Sequence, residues 1–523
     1  MKKLPWHRIA SRPVTVWMIL FLLAGATHTL IPGYRWVLIH LFTLGVVGNS
    51  ILLWSQTLTG RFVGRDTAWR PLVFRLGVYN LGVVLTVAGQ IAGVLPLTHS
   101  GVGVISLALA WHALSLGHAW WRSTGHRFRP VVAGYVISAL FLPVAGVLGA
   151  LLASATSEER LVAHMSAALL GFVGIAAAAS LTILFPAVWR ATGTAPFLPM
   201  LVALTLGAAG AVIIPFVDLR LLPAPLLVYA AGWALGLLSW LRQVATVLRD
   251  PRDRVGYASV SVLAAVLWLF GSLVALGFGV RPALPLLVGF AAQLLLGVMS
   301  HQLPAAMRGG PGAVRAGTRE MERGGLFRVT LINGGLAVWL AADQSWLKVA
   351  ASVLCLGAFA AFLPLMRRAA RAQVAVIRKQ TPAPPRPEAP SPAWNQVTAA
   401  VAVLALLLGA FGGLSGPGSG TVSSTVAGTG DEQVTQVEVR AVGYRFEPDT
   451  VEVPTGNRLL LTLRNDDPEL AHDLQMDSGV DSGRLLPGEE VNLDLGVITA
   501  DADGRCTIAG HHAQGMVFAV RAV

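Results

Sequence analysis

Near its C-terminus the chain gathers a thiol, an imidazole and a thioether into one short run: Cys506, His511 and Met516, with four residues between successive members. Gly510 and Gly515 stand just before the last two and let a tight loop turn back on itself. A second imidazole, His472, lies upstream in a strand-like stretch. Two imidazoles and a thiolate in a trigonal plane, with a weak axial thioether, are the donors of a mononuclear type 1 copper site. His512, next to His511, would point away from such a centre and is expected to take no ligand role. The chain has two cysteines. Cys355 falls in an apolar run as packing, so Cys506 has no disulfide partner and is a metal ligand or a free thiol.

Such a loop needs rigid strands on both sides. From Gln436 short alternating runs appear: VEVRAV, TVEV, RLLLTLRN, HDLQM, EVNLDLGVI, GRC and MVFAVRAV. Turn residues separate them at Glu447-Pro448-Asp449, Pro454-Thr455-Gly456, Asp466-Asp467-Pro468 and Pro487-Gly488. About seven strands over residues 435–523 predict a small all-β Greek-key sandwich.

The remainder of the 523 residues has another character. The whole chain is 54% hydrophobic and 13% charged, with a mean hydropathy of +0.64, against roughly 25% charge in an ordinary soluble domain. Apolar runs long enough to cross a bilayer fall at about 13–32, 34–54, 71–97, 101–121, 131–154, 161–188, 196–216, 221–241, 256–280, 282–302, 325–342, 345–366 and 394–413. The expected fold is a polytopic α-helical membrane domain of about 12–13 spans followed by the sandwich. Residues 1–380 form the first twelve helices, 381–393 a proline-rich linker, 394–413 the last span and 414–434 a flexible Gly/Ser/Thr linker. The basic start and first apolar run resemble a signal peptide; the run's length, its lack of a small-residue cleavage site and the span that follows at once make it a retained helix.

The net charge of +12 is a topology signal rather than a nucleic-acid signal. Alternate loops carry about 25 Lys and Arg, against 5 in the loops between them, namely Arg35, Arg160, Arg220, Arg281 and Lys348. The rich loops are cytoplasmic, which puts the N-terminus inside and the tail on the extracytoplasmic face of the plasma membrane. The tail is acidic, with about twice as many Asp and Glu as Lys and Arg.

Histidines inside apolar runs are functional candidates by default. His40 and His164 open the second and sixth runs, each followed by a G-x-x-G pair, Gly45/Gly48 and Gly171/Gly174, and the tenth run carries a weaker echo ending near His301. The pair His40 and His164 is the candidate cofactor-binding set, with a b-type haem as the group two imidazoles would hold. Hydrogen-bonded packing and a route for metal transit stay open beside it.

The stretch Asp473–Arg484, Pro487-Gly488-Glu489, Gly504-Arg505-Cys506-Thr507 and Gly510-His511-His512-Ala513-Gln514-Gly515-Met516 resembles the cupredoxin domain of actinobacterial membrane-anchored multicopper oxidases and copper nitrite reductases, in which a multi-span domain also precedes the copper domains. The helical part more loosely resembles haem–copper oxidase subunit I, through His40, and NnrS-like membrane proteins. It departs from them in lacking a double-His pair in the seventh run, an H-x-H in the tenth, and an H-x-x-x-Y in the sixth, where Ala168 follows His164. The resemblance implies one type 1 copper held by His472, Cys506, His511 and Met516. The sequence stops at Val523 after one such unit, so the expectation is an electron-transfer component rather than a self-sufficient oxidoreductase. Electrons would pass between a membrane-domain site, haem b or quinol, and a soluble extracytoplasmic redox partner. The alternative is copper handling, by delivery or transport, without redox turnover.

Overall fold

The computed structural model describes residues 6–31, 33–63, 67–123, 127–154, 157–249, 255–278, 280, 282–307, 309–342, 345–385, 433–468, 470–483, 485–508, 511 and 515–523. The chain divides into two compact units, one of residues 1–336 and 354–401, the other of 337–353 and 402–523. The apolar run at 394–413 and most of both linkers lie outside the described residues, as do Gly510 and His512.

Among the described residues the helices are α1 (Trp6–Ala26), α2 (Tyr34–Phe62), α3 (Trp69–Ile91), α4 (Leu95–Trp121), α5 (Arg129–Ser154), α6 (Glu158–Trp189), α7 (Phe197–Ile213), α8 (Pro223–Leu248), α9 (Tyr257–Gly277), α10 (Pro285–Met307), α11 (Gly310–Met321), α12 (Gly325–Ala341), α13 (Ser345–Ala360) and α14 (Phe362–Ile377). Among the described residues eleven spans are long and apolar enough to cross a membrane, and α11 with α12, bent by 41°, make a twelfth if counted as one. Their outer faces carry bare apolar side chains such as Phe74, Leu107, Leu114 and Leu227. That pattern suits lipid and would be costly in water.

Helix pairs come close where a side chain is missing. A Cβ on Gly82 of α3 would stand 2.8 Å from the Ile105 nitrogen of α4, the small-residue contact that membrane helices favour.

The echo between the second, sixth and tenth runs has a structural counterpart. Each contains a π-helical stretch: Leu41–Gly48 in α2, Ser166–Gly174 in α6 and Pro285–Ala292 in α10. A glycine in each is covered by an aromatic ring of the preceding helix: Trp17 over Gly45, Phe141 over Gly171, Trp268 over Gly289. In α2 and α6 a tyrosine hydroxyl seats on the second glycine of the pair and donates to the carbonyl four residues earlier. Tyr79 bonds Leu44 O at 2.8 Å and Tyr229 bonds Leu170 O at 2.9 Å. The indoles of Trp17 and Trp268 donate to Asn80 and Asn333.

Among its described residues the second unit carries eight strands in two four-stranded sheets: β1 (Val434–Val442), β2 (Arg445–Glu447), β3 (Thr450–Val453), β4 (Arg458–Asn465), β5 (Gln475–Met476), β6 (Glu490–Val497), β7 (Ala502–Arg505) and β8 (Val517–Ala522). The orders are β2-β1-β4-β6 and β3-β8-β7-β5, with β1/β4 and β3/β8 parallel. Strand β4 alternates strictly, burying Leu459, Leu461, Leu463 and Asn465. With Val439, Phe446, Val453, Leu474, Phe518 and Val520 they fill the space between the sheets. The seven strand-like runs all supply strands or bridges here; β2, three residues long, is the addition.

Candidate metal centre

His472 sits where the chain leaves β4 on its way to β5. It forms a two-way bridge with Leu485, His472 N to Leu485 O at 3.0 Å and Leu485 N to His472 O at 2.7 Å. Asn465, buried at the end of β4, braces that bridge by donating to the carbonyls of Leu470 and Leu485. Asp467 ties the turn down, accepting from the amides of Leu470 and Gly443. Its Oδ2 lies 3.7 Å from His472 Nε2.

Cys506 follows β7 and Met516 precedes β8, so two adjacent antiparallel strands deliver both ends of the loop. The loop closes through its own backbone. Cys506 N donates to Met516 O at 3.2 Å, Met516 N to His511 O at 3.2 Å, and His511 N to Ile508 O at 3.0 Å. Gly515 takes φ +90°, a conformation that a side chain would resist. Asp473, the neighbour of His472, accepts from both the amide and the hydroxyl of Thr507, the neighbour of Cys506. One carboxylate thus fastens the upstream ligand strand to the loop.

These devices bring His472, Cys506 and His511 together, with one ligand atom from each inside a mutual 4.8 Å. Cys506 Sγ is 3.5 Å from His511 Nδ1, and the two imidazole centres are 5.0 Å apart. Tyr444 meets the His511 ring edge-on at 5.1 Å. His472, Cys506 and Met516 are wholly buried and His511 nearly so. Burial, and next the charge of Asp473, push the Cys506 thiol up to about 12. A thiol this protonated is inert until a cation displaces its proton. Two imidazole nitrogens and one sulfur, buried and preassembled, fit a copper ion and give a hard, oxygen-seeking cation no ligand. Met516 is joined by backbone to both other loop residues, as the fourth donor would be.

The membrane histidines divide differently. His40 and His164, on α2 and α6, come together with ring centres 6.2 Å apart. His112 of α4 instead bonds Ser55 Oγ at 2.9 Å, and His28 bonds the carbonyl of Gly25. Sequence reading missed Asp473, Asn465, Asp467 and Tyr444. Their traces were the turn run Asp466-Asp467-Pro468, which holds Asp467, and Asp473 at the head of the stretch that carries the resemblance.

Two solved structures are similar to a small part of the chain. One is a dithionite-reduced auracyanin from the photosynthetic bacterium Roseiflexus castenholzii, 16% identical, covering 17% of this chain and 98% of that one with a TM-score of 0.16. The other is auracyanin B, 16% identical, covering 18% and 95% with a TM-score of 0.16. No protein-family model matches the sequence, and no curated protein is similar to it.

Proposed function

We propose that this is a membrane redox protein whose β unit holds one type 1 copper and relays single electrons. His472, Cys506 and His511 would bind the ion, with Met516 as the weak axial donor. When bound, copper supplies a one-electron couple between its two oxidation states. The observation that carries the reading is the meeting of two imidazoles and a thiolate-forming sulfur within 4.8 Å in a buried pocket.

The protein's own part is to hold the donors still. The Asp473–Thr507 clamp, the Leu485 bridge and the loop bonds keep the ligands in one arrangement whatever the ion's charge, and burial keeps water off it. On the topology read from the basic loops, the unit faces the extracytoplasmic side. It would exchange electrons there with a soluble oxidoreductase, and on the membrane side with a group in the helical unit, a b-type haem or a quinol.

The test is the visible spectrum of the copper-loaded full-length protein. A thiolate-to-copper band near about 600 nm, absent from Cys506→Ser, is expected. A colourless protein that nevertheless holds copper at these residues would favour copper handling instead.

A further inference from the structure

The helical unit holds a second pair of imidazoles that the β-unit site does not use. We infer that His40 and His164 are the two ligands of a transition metal bound between α2 and α6. The metal would arrive either as the iron of a haem or as a copper ion. As a metal site this stands on its own geometry; as the membrane terminus of the electron path it rests on the function proposed above.

Both rings are fixed in the same tautomer. His40 Nδ1 lies 2.8 Å from Trp36 O, and His164 Nδ1 lies 2.8 Å from Ala145 O on α5. A carbonyl only accepts, so each Nδ1 carries the proton and each Nε2 carries a lone pair. Among the described residues neither Nε2 has a hydrogen-bond partner. A histidine whose far nitrogen donates to a carbonyl is the usual form of a metal-bound imidazole. His112 spends its Nε2 on Ser55, and His28, which makes the same Nδ1 bond to the Gly25 carbonyl, stands beside Tyr34 rather than a second imidazole; the pairing of the two rings sets His40 and His164 apart.

The separation fits as well. The ring centres are 6.2 Å apart and the planes differ by 28°. Two imidazoles on opposite sides of one metal, with bonds of about 2 Å, hold their centres about 6 Å apart. The rings are also held from outside. Trp36 stacks on His40 with centres 3.9 Å apart, and a Cβ on Gly149 would press His164 Cε1 at 3.0 Å. The π-helical stretches of α2 and α6 begin within two residues of the histidines, and such distortions gather at functional sites. Both rings lie in apolar helices and are half-buried, and each offers an Nε2 lone pair that a cation can take up.

The experiment uses full-length protein carrying His472→Ala, Cys506→Ser and His511→Ala together, which removes the two imidazoles and the thiol of the β-unit group, so that remaining metal belongs elsewhere. Elemental analysis reads copper and iron, and extraction into alkaline pyridine reads haem. About one equivalent of haem or of copper per chain is expected, falling at least tenfold when His40→Ala or His164→Ala is added and unchanged when His28→Ala is added. Electron paramagnetic resonance of the oxidised triple variant should show nitrogen ligation, which keeps the inference testable even if the further histidine variants do not fold. A metal-free triple variant, metal that survives both substitutions, or a centre without nitrogen coupling would each overturn it. Loss of the 600 nm band in unsubstituted protein would instead strike the β-unit reading and leave this one standing.

Discussion

Asp473 fastens the loop that carries Cys506 and His511 to the chain around His472. Its carboxylate accepts two hydrogen bonds from Thr507, and bonds to a charged acceptor contribute about 1.5–3 kcal/mol each. Asp473→Ala leaves the Thr507 amide without its acceptor, and the β unit should lose about 2–4 kcal/mol in a denaturant titration that monitors its own transition. Unchanged stability would mean that the clamp is ornamental. Met516→Leu keeps a buried side chain of similar volume, at a cost below about 1.5 kcal/mol. It removes the only thioether at the loop's end, and with it a donor that favours the oxidised ion. Copper should stay bound while the reduction potential, read by spectroelectrochemistry, rises; a potential that falls or stays put would remove Met516 from the donor set. The spacing Cys506-x4-His511-x4-Met516 was legible because two imidazoles, a thiol and a thioether rarely assemble without purpose. Asp473 was not, since an acid beside a histidine looks like any loop acid until its partner across the fold is known.

The elements were legible in proportion to their length. Twelve apolar runs of about 20 residues announce themselves by composition, and the described helices follow them. The three-residue β2 is too short to alternate visibly. The π-helical stretches are opaque for another reason: their sequences differ from α-helix only in where glycine meets a neighbour's ring. That dependence can be tested. A Cβ at Gly48 would overlap the Tyr79 hydroxyl, and one at Gly174 the Tyr229 hydroxyl. Gly48→Ala should therefore destabilise the helical unit by about 1–3 kcal/mol. Adding Tyr79→Phe should recover part of that loss, because the colliding oxygen is gone. Thermal unfolding in detergent of the single and double variants measures the coupling; simple additivity would mean that the hydroxyl is not what Gly48 accommodates.

At the scale of the whole molecule, charge separates the two parts. The chain is basic, whereas residues 435–523 are acidic. Surface charge acts over about 10 Å at 0.1 M salt and steers encounters with ions of the opposite sign. A small cationic reductant should therefore reach the loaded copper faster than an anionic one of equal driving force, and stopped-flow rates should converge as salt is raised. The reverse order would show that a local basic patch governs docking. Metal removal acts at this scale too. Binding to the folded unit alone adds about 4 kcal/mol at a thousandfold excess over Kd. Stripping copper should lower the β unit's transition by about 10 °C or more and leave the helical unit's transition where it was. Sidedness was read from loop charge alone, because nothing in the coordinates of a helix says which of its ends meets the cytoplasm.

The π-helical stretch of α2 also sets the rotational phase of everything beyond it. Each residue of an ordinary helix turns the chain by about 100°. Deleting one residue between Leu41 and Gly48 could restore regular winding without breaking the helix, yet it would rotate the following segment by about that angle. Asn49, which pairs with Asn80 of α3 through reciprocal amide bonds, would then face another neighbour, as would Ser55 and Gln56. Single-residue deletions here should be far more damaging than equal deletions between α2 and α3, although both leave the hydropathy profile untouched.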